Sequence, residues 1–266
     1  MTPASFRRIV WAHYRKQGRH GLPWRKTRDP YKILVSEVML QQTQVERVIP
    51  FYVRFTKRFP TAKRLASAPL ADVLKAWQGL GYNRRAKMLR QAAKAIAEHG
   101  MPRSAGGFEV LPGVGPYTAR AIAAFAYNDD GVMIETNIRT AVIYHFFSAR
   151  KEVDAAEIAG VLEETLPQGR AREWYWALMD YGAYLKRAGV RANARAKGYA
   201  RQTRFAGSLR EARGAILKRL ARGGAAHAEL GRLLGGVRRV QLERALAALA
   251  AEGLIVRNRR GYALPA

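Results

Sequence analysis

The chain has 266 residues and no cysteine. A disulfide framework, a thiolate-bound zinc and a cysteine-held iron–sulfur cluster are therefore all excluded. Acidic residues are scarce, with 20 Asp+Glu against 47 Lys+Arg, for a formal net charge of +27. An excess of this size along the whole length favours a polyanion as partner: DNA, RNA or an anionic membrane surface. Arginine dominates lysine, and its planar fork suits phosphate. No apolar run reaches the length of a membrane span, and the N-terminus lacks the charged-then-apolar signal pattern. The expectation is a cytoplasmic, nucleoid-associated protein with no membrane partner. The five histidines, His13, His20, His99, His145 and His227, show no ligand spacing, so no side-chain metal site is expected.

What is present is enough to fold. Hydrophobic content of 48% and five tryptophans argue for buried cores, in one large domain or two to three small ones. The chain is organised around Leu111-Pro112-Gly113-Val114-Gly115-Pro116-Tyr117. Two glycines one residue apart behind a proline break a helix, and Pro116 suits the first turn of the next one. Free N–H groups at such a turn suit a phosphate. A second glycine-rich turn, Gly79-Leu80-Gly81-Tyr82, precedes an amphipathic helix over Arg84–His99. The apolar periodicity over Tyr31–Phe55 places Glu37, Gln41 and Gln44 on one helical stripe.

Helices are predicted through Leu185. From Lys186 to Arg204 the sequence turns basic and loses apolar periodicity, as a solvated linker does. Helices then return at Arg210–Leu220, Ala228–Leu234 and Val237–Ala251. Two strands follow at Leu254–Arg257 and Gly261–Leu264, joined by Asn258-Arg259-Arg260. Three helices and a basic hairpin predict a winged helix-turn-helix, with a small dimerisation bundle as the plainer alternative.

Five motifs occur in order: Leu22-Pro23-Trp24-Arg25, Ser36-Glu37-Val38-Met39-Leu40-Gln41-Gln42-Thr43, Gly79–Tyr82, Leu111–Gly115 and Met179-Asp180-Tyr181-Gly182-Ala183. Over roughly residues 5–185 the chain resembles the helix-hairpin-helix DNA glycosylase superfamily, and within it the adenine DNA glycosylases. The resemblance implies a mainly α, two-lobed fold, to which the helix and strand pattern adds the C-terminal winged helix-turn-helix. One helical lobe would combine 1–21 and 129–190, a six-helix lobe would span 22–128, a basic linker 191–207 and the added domain 208–266. It also implies a monomer acting on double-stranded DNA with a mispaired or damaged base.

By the same resemblance, the enzyme flips a base out of the duplex and cuts its N-glycosidic bond. That chemistry needs one carboxyl to protonate the leaving base and one to stay ionised beside an oxocarbenium-like sugar. Glu37 matches the general acid. Glu135 stands where relatives carry aspartate, one methylene shorter, and a plain helix-start glutamate is its structural alternative. Asn137 is expected to orient the pair. Tyr117 stands where bifunctional relatives carry a Schiff-base lysine, so β-lyase chemistry is expected to be absent or slight, and Tyr117 is expected to help shape the pocket. Trp24, Arg25, Val45 and Asp180 are expected to shape the base pocket, although Asp180 equally suits a salt bridge. Gln42 and Tyr82 match residues that fill the stack beside a flipped base, and Gln41 is expected to bind DNA with them. Gly113, Val114 and Gly115 would hold a phosphate, with a monovalent cation as the one possible cofactor, and Arg238, Arg239, Arg259 and Arg260 would bind DNA.

Two departures stand out. Relatives follow the Met179–Ala183 motif with four cysteines that bind a [4Fe–4S] cluster, and this chain has none. Relatives acting opposite 8-oxoguanine usually end in a Nudix-like domain, which residues 208–266 do not resemble. Thymine or uracil opposite guanine is therefore an alternative substrate, and a non-catalytic binder of distorted DNA is the alternative from another class.

Overall fold

Side-chain caps mark where several helices start. In the computed structural model, which describes residues 1–198, 204–233 and 239–266, Thr2 caps α1 (Pro3–Gln17) by accepting from the Ser5 amide. Asp29 accepts from the Tyr31 amide at 2.9 Å as α2 (Pro30–Leu40) begins. α3 (Val45–Arg58), α4 (Ala62–Ser67, capped by Thr61) and α5 (Leu70–Trp77) follow. α6 (Arg84–His99) is closed by Gly100 at φ 88°. α7 (Ala105–Glu109) is capped by Ser104, and α8 (Pro116–Ile122) runs on as a π-turn, Ala123–Tyr127, that stops at left-handed Asn128. α9 (Thr136–Phe146), α10 (Ala155–Thr165, with an Asp154/Glu157 capping box) and α11 (Ala171–Arg187) complete this part. Beyond it lie α12 (Leu209–Leu220), α13 (His227–Leu233), α14 (Arg239–Ala251) and the strands β1 (Val256–Asn258) and β2 (Gly261–Ala263).

The chain forms two units. The first comprises Met1–Leu34, Pro102–Val110 and Val114–Arg201. Its core gathers α1, α9 and α11: Phe6 stands edge-on to His145, Phe146 and Trp174. α9 and α11 approach as closely as backbones allow. A Cβ on Gly182 would lie 1.9 Å from the Asn137 carbonyl oxygen, so no other residue fits there.

The second unit comprises Val35–Met101, Leu111–Gly113 and Gln202–Ala266. Phe55, Leu65, Trp77 and Leu89 are buried among α3–α6. Ile216, Leu217, Leu246 and Leu249 are buried between α12 and α14. β1 and β2 pair antiparallel, Arg257 opposite Tyr262, and Ala225 bridges to Tyr262 on the other edge. The C-terminal segment is fastened within this unit. Arg213 chelates the Glu252 carboxylate at 2.8 and 2.5 Å, and Lys87 donates to the Glu252 carbonyl.

Three expectations are corrected. The run Tyr31–Phe55 is two helices, not one, because the backbone breaks at Gln41–Gln44 with Gln42 at φ 53°. Glu37 and Gln44 therefore do not share a helical stripe. The basic stretch after α11 is also less solvated than a linker. Ala192–Arg195 form a 3₁₀ turn, and Ala192, Asn193 and Ala196 are buried. The strands are shorter than the sequence pattern suggested, starting at Val256 and ending at Ala263. Gly235, Gly236, Val237 and Arg238 lie outside the described residues, as does the Arg239 side chain.

Gly182→Ala is expected to push α9 from α11 and to cost about 3 kcal/mol, the upper end for overpacking. A shift in the urea midpoint reads this out, and an unchanged midpoint would contradict the close approach.

Candidate active site

Glu37 sits on α2, whose neighbouring residues are Val35, Ser36, Val38 and Met39, all buried. Its own exposure is 6%. The end of that helix is set by Arg85, from the first turn of α6. Its guanidinium donates to the carbonyls of Val38 (2.8 Å), Met39 (3.0 Å) and Gln41, and to Thr43 Oγ1 at 3.2 Å. It reaches the Leu80 and Gly81 carbonyls as well, at 3.4 and 3.2 Å. One side chain thus ties the Gln41–Thr43 turn to the Gly79–Tyr82 turn. Burial pushes the Arg85 pKa down to about 10, which still leaves it charged at neutral pH.

Tyr82, at φ 47°, stands among cations. Arg85 lies 5.4 Å and Arg210 lies 5.6 Å from its ring centroid, and Arg210 donates to its hydroxyl at 2.6 Å. Gln41 is half-buried and Gln42 exposed. At the central hairpin Gly113 has φ 77°, and a Cβ there would meet Met88 Cβ at 2.5 Å, so glycine is required. Gly115 caps α8 from an extended conformation, Val114 is buried and Tyr117 is half-buried in the first turn of α8. Arg259 and Arg260 are exposed in the β1–β2 turn.

In the first unit, Glu135 is the N-cap of α9. Oε1 accepts from the Asn137 amide at 2.6 Å and the Ile138 amide at 2.9 Å, and Oε2 accepts from Asn137 Nδ2 at 3.3 Å. Lys186 Nζ, from the last turn of α11, donates to Asn137 Oδ1 at 3.2 Å. Glutamate is an unusual cap, and the extra methylene lets it curl back onto its own helix. Burial pushes the Glu135 carboxyl above its ordinary value, even against these amide hydrogen bonds and the Lys186 charge.

Asp180 forms the salt bridge that its alternative reading foresaw. Its two oxygens take four donors: Arg25 Nη1 and Nη2 at 2.7 and 2.9 Å, Arg19 Nε at 2.6 Å and the Arg19 amide at 2.8 Å. Both Asp180 and Arg25 side chains are almost wholly buried, at 2% and 4%. Burial alone would raise the Asp180 carboxyl, but Arg25 and Arg19 outweigh it and hold it below its ordinary value. Arg25 also lies 5.4 Å from the Trp176 ring centroid. Trp24 is buried in the 3₁₀ turn Pro23–Arg25, and Val45 is half-buried where α3 begins.

The structure thus joins Glu135 with Asn137, and Arg25 with Asp180. Sequence reasoning missed Arg19, Arg85 and Lys186. For Arg85 a signal existed, since Arg84 and Arg85 open a helix whose positive dipole end repels cations.

Compared with known families, residues 35–168, half of the chain, match the HhH-GPD superfamily base excision DNA repair protein. The chain belongs to this superfamily. Its relatives place it in the adenine DNA glycosylase branch. The HhH-GPD chain is 37% identical over 219 residues to the adenine DNA glycosylase of Mycolicibacterium smegmatis, covering 75% of each. It is 35% identical over 189 residues to that of Buchnera aphidicola subsp. Baizongia pistaciae, covering 70% of this chain and 54% of the relative. The chain therefore spans about half the length of that relative. Among solved structures it is similar to a thermostable thymine-DNA glycosylase, with TM-score 0.60 and 26% identity over 68% of this chain and 86% of that one. An endonuclease III bound to DNA shares the fold, with TM-score 0.59 and 18% identity over 69% and 87%. Among the described residues no helix is long and apolar enough to cross a membrane, and no cluster of His, Asp and Glu could hold a metal.

Replacing Asp180 by Asn is expected to cost about 3–5 kcal/mol, because two arginines would be left facing an uncharged amide. The loss should be full above the ordinary carboxylate pKa, where the wild-type carboxylate is ionised whether folded or unfolded. It should shrink as pH falls through the lowered folded value. Urea unfolding of both proteins between pH 7 and pH 3 measures this, and a pH-independent difference would rule the ion pair out as its source.

Proposed function

We propose that the chain is a monofunctional DNA glycosylase of base-excision repair that releases mispaired adenine. The observation that carries this reading is Glu37, an acidic residue at 6% exposure on a mostly apolar helix. Buried glutamates are uncommon, and catalysis is one of the roles that retains them. The names of the relatives support adenine as the base.

In this reading Glu37 protonates the leaving adenine, which departs as a neutral base. The C1′–N9 bond breaks, and positive charge develops on the sugar. Glu135, ionised, stabilises that charge through the carboxylate that Asn137 and the start of α9 hold in place. Water adds to C1′, its proton passing to the Glu37 carboxylate left after protonation of the base, and gives an abasic site. Tyr117 offers no amine, so no Schiff base forms and the strand stays intact. Trp24, Arg25 and Val45 bound the base, with Asp180 locking Arg25. Gln42 and Tyr82 fill the gap beside the flipped nucleotide, and Gln41 contacts the DNA. The main-chain groups of Gly113, Val114 and Gly115 take a phosphate. Residues Leu111–Gly115 carry no carboxylate or imidazole. Only main-chain oxygens could hold a cation there, which suits a weakly held monovalent ion.

The C-terminal segment is proposed to be a winged helix-turn-helix that adds DNA contacts through Arg238, Arg239, Arg259 and Arg260. Three helices followed by an antiparallel pair, with two exposed arginines in the turn, support it.

Single-turnover base release on duplexes carrying A opposite 8-oxoguanine, A opposite G, T opposite G and U opposite G tests the reading. Adenine is expected from the first two duplexes, with strand cleavage only after alkali. Glu37→Gln and Glu135→Gln should each lower the rate by at least about a hundredfold, the scale of a lost acid or electrostatic partner. Pyrimidine release instead would move the specificity, and no release from any duplex would sink the enzymatic reading. Activity that needs ionised Glu135 should fall away on the acid side at a pH above the ordinary glutamate value, because burial raises that pKa. An acid limb at or below the ordinary value would contradict the role given to Glu135.

A further inference from the structure

The segment after α11, where the resembling enzymes bind a cluster, is fastened to α9 by an amide. Asn193 Nδ2 donates one proton to the Thr136 carbonyl at 2.9 Å and the other to Thr140 Oγ1 at 2.7 Å. Thr140 Oγ1 in turn donates to the same Thr136 carbonyl at 2.8 Å. A carbonyl can only accept, so the amide orientation is forced: nitrogen faces α9. Asn193 and Thr140 are buried, at 7% and 0% exposure, where such a network is strong if complete and costly if broken. Asn193 Oδ1 is buried with no hydrogen-bond partner among the described residues. That orphan costs free energy a purely filling side chain would not incur.

The segment carrying Asn193 is itself held from outside α11. The Val153 amide donates to the Arg195 carbonyl at 2.9 Å, and the Lys197 amide donates to the Val153 carbonyl at 3.2 Å, a short parallel bridge. Arg195 donates to the Ser148 carbonyl at 2.8 Å. A bracket anchored beyond the C-terminus of α9 therefore grips its first turn. Thr136, which receives that grip, directly follows the cap residue Glu135.

We propose that Asn193 is a positioning residue that fixes the first turn of α9, and with it the Glu135 carboxylate, in a chain without cluster cysteines. The inference rests on the catalytic role of Glu135 proposed above. The charged group acting on Glu135 from the packed elements is Lys186 of α11, which reaches Asn137 Oδ1. Arg195, the cation that closes the Asn193 turn, is directed to Ser148, so the turn steers Glu135 through the backbone and not through charge.

The test compares Asn193→Ala with Thr165→Val. Thr165 is a fully buried residue on α10 whose hydroxyl donates to the Val161 carbonyl, and it has no part in the proposed machinery. With ¹³C-carboxyl-labelled glutamate, the Glu135 resonance, identified by its loss in Glu135→Gln, is titrated in the free proteins by NMR. Loosening the first turn of α9 lets water reach Glu135, so its pKa is expected to fall toward the ordinary glutamate value in Asn193→Ala. Thr165→Val should leave it unmoved. The acid limb of adenine release should move to lower pH in parallel, with a rate about tenfold down and KM little changed. A Glu135 titration equal in wild type and Asn193→Ala, with only the unfolding midpoint lowered, would overturn the proposal and leave Asn193 a structural pin. A moved titration without base release from wild type would keep the positioning role and sink the glycosylase reading alone.

Discussion

The second unit depends on one desolvated guanidinium. Arg85 gathers the carbonyls that α2 leaves unpaired at its end and those of the Gly79–Tyr82 turn. Helix ends leave such carbonyls in any case, and a buried one without a donor is costly. By meeting several with a single planar fork, Arg85 ends α2 one turn beyond Glu37 and sets Tyr82 among cations. Lysine could not do this, since its ammonium is a point donor without the fork. The position of the buried acid and the shape of the neighbouring turn are consequences of the same side chain.

The first unit solves a like problem at a helix start. Three donors hold the carboxylate of Glu135, two of them amides that the helix must satisfy in any event. The capping role and the proposed catalytic role are therefore not rivals. Capping restrains the carboxylate, and burial raises the free energy of its charged form. Asp180 lies at the other extreme. Four donors saturate it, which makes it a support for Arg25 and Arg19 and holds it firmly ionised. Two carboxylates of one unit thus differ in reactivity because of what donates to them.

Much of this was legible in the sequence. Apolar periodicity located helices such as Arg84–His99, and Pro116 marked a helix start because its fixed backbone acts locally. The need for glycine at 113 was legible for the same reason, although its immediate cause, Met88, is distant in sequence. What stayed hidden was non-local. The break at Gln41–Gln44 contains no glycine or proline, and it is held by an arginine more than forty residues away. The order in the basic stretch after α11 was hidden because Arg-Ala-Asn-Ala-Arg has no apolar period. Its burial comes from the acceptors that α9 supplies, and a sequence shows donors more readily than the geometry that satisfies them.

The amide at Asn193 changes what the protein requires from its surroundings. A segment closed by cysteine thiolates around iron has to be loaded after synthesis, and it opens again when oxidants or chelators strip the metal. A segment closed by an asparagine forms as the chain folds, from atoms already in the polypeptide. Closure of that region by Asn193 is then a folding step, shared with the Val153 bridge and the Arg195–Ser148 hydrogen bond.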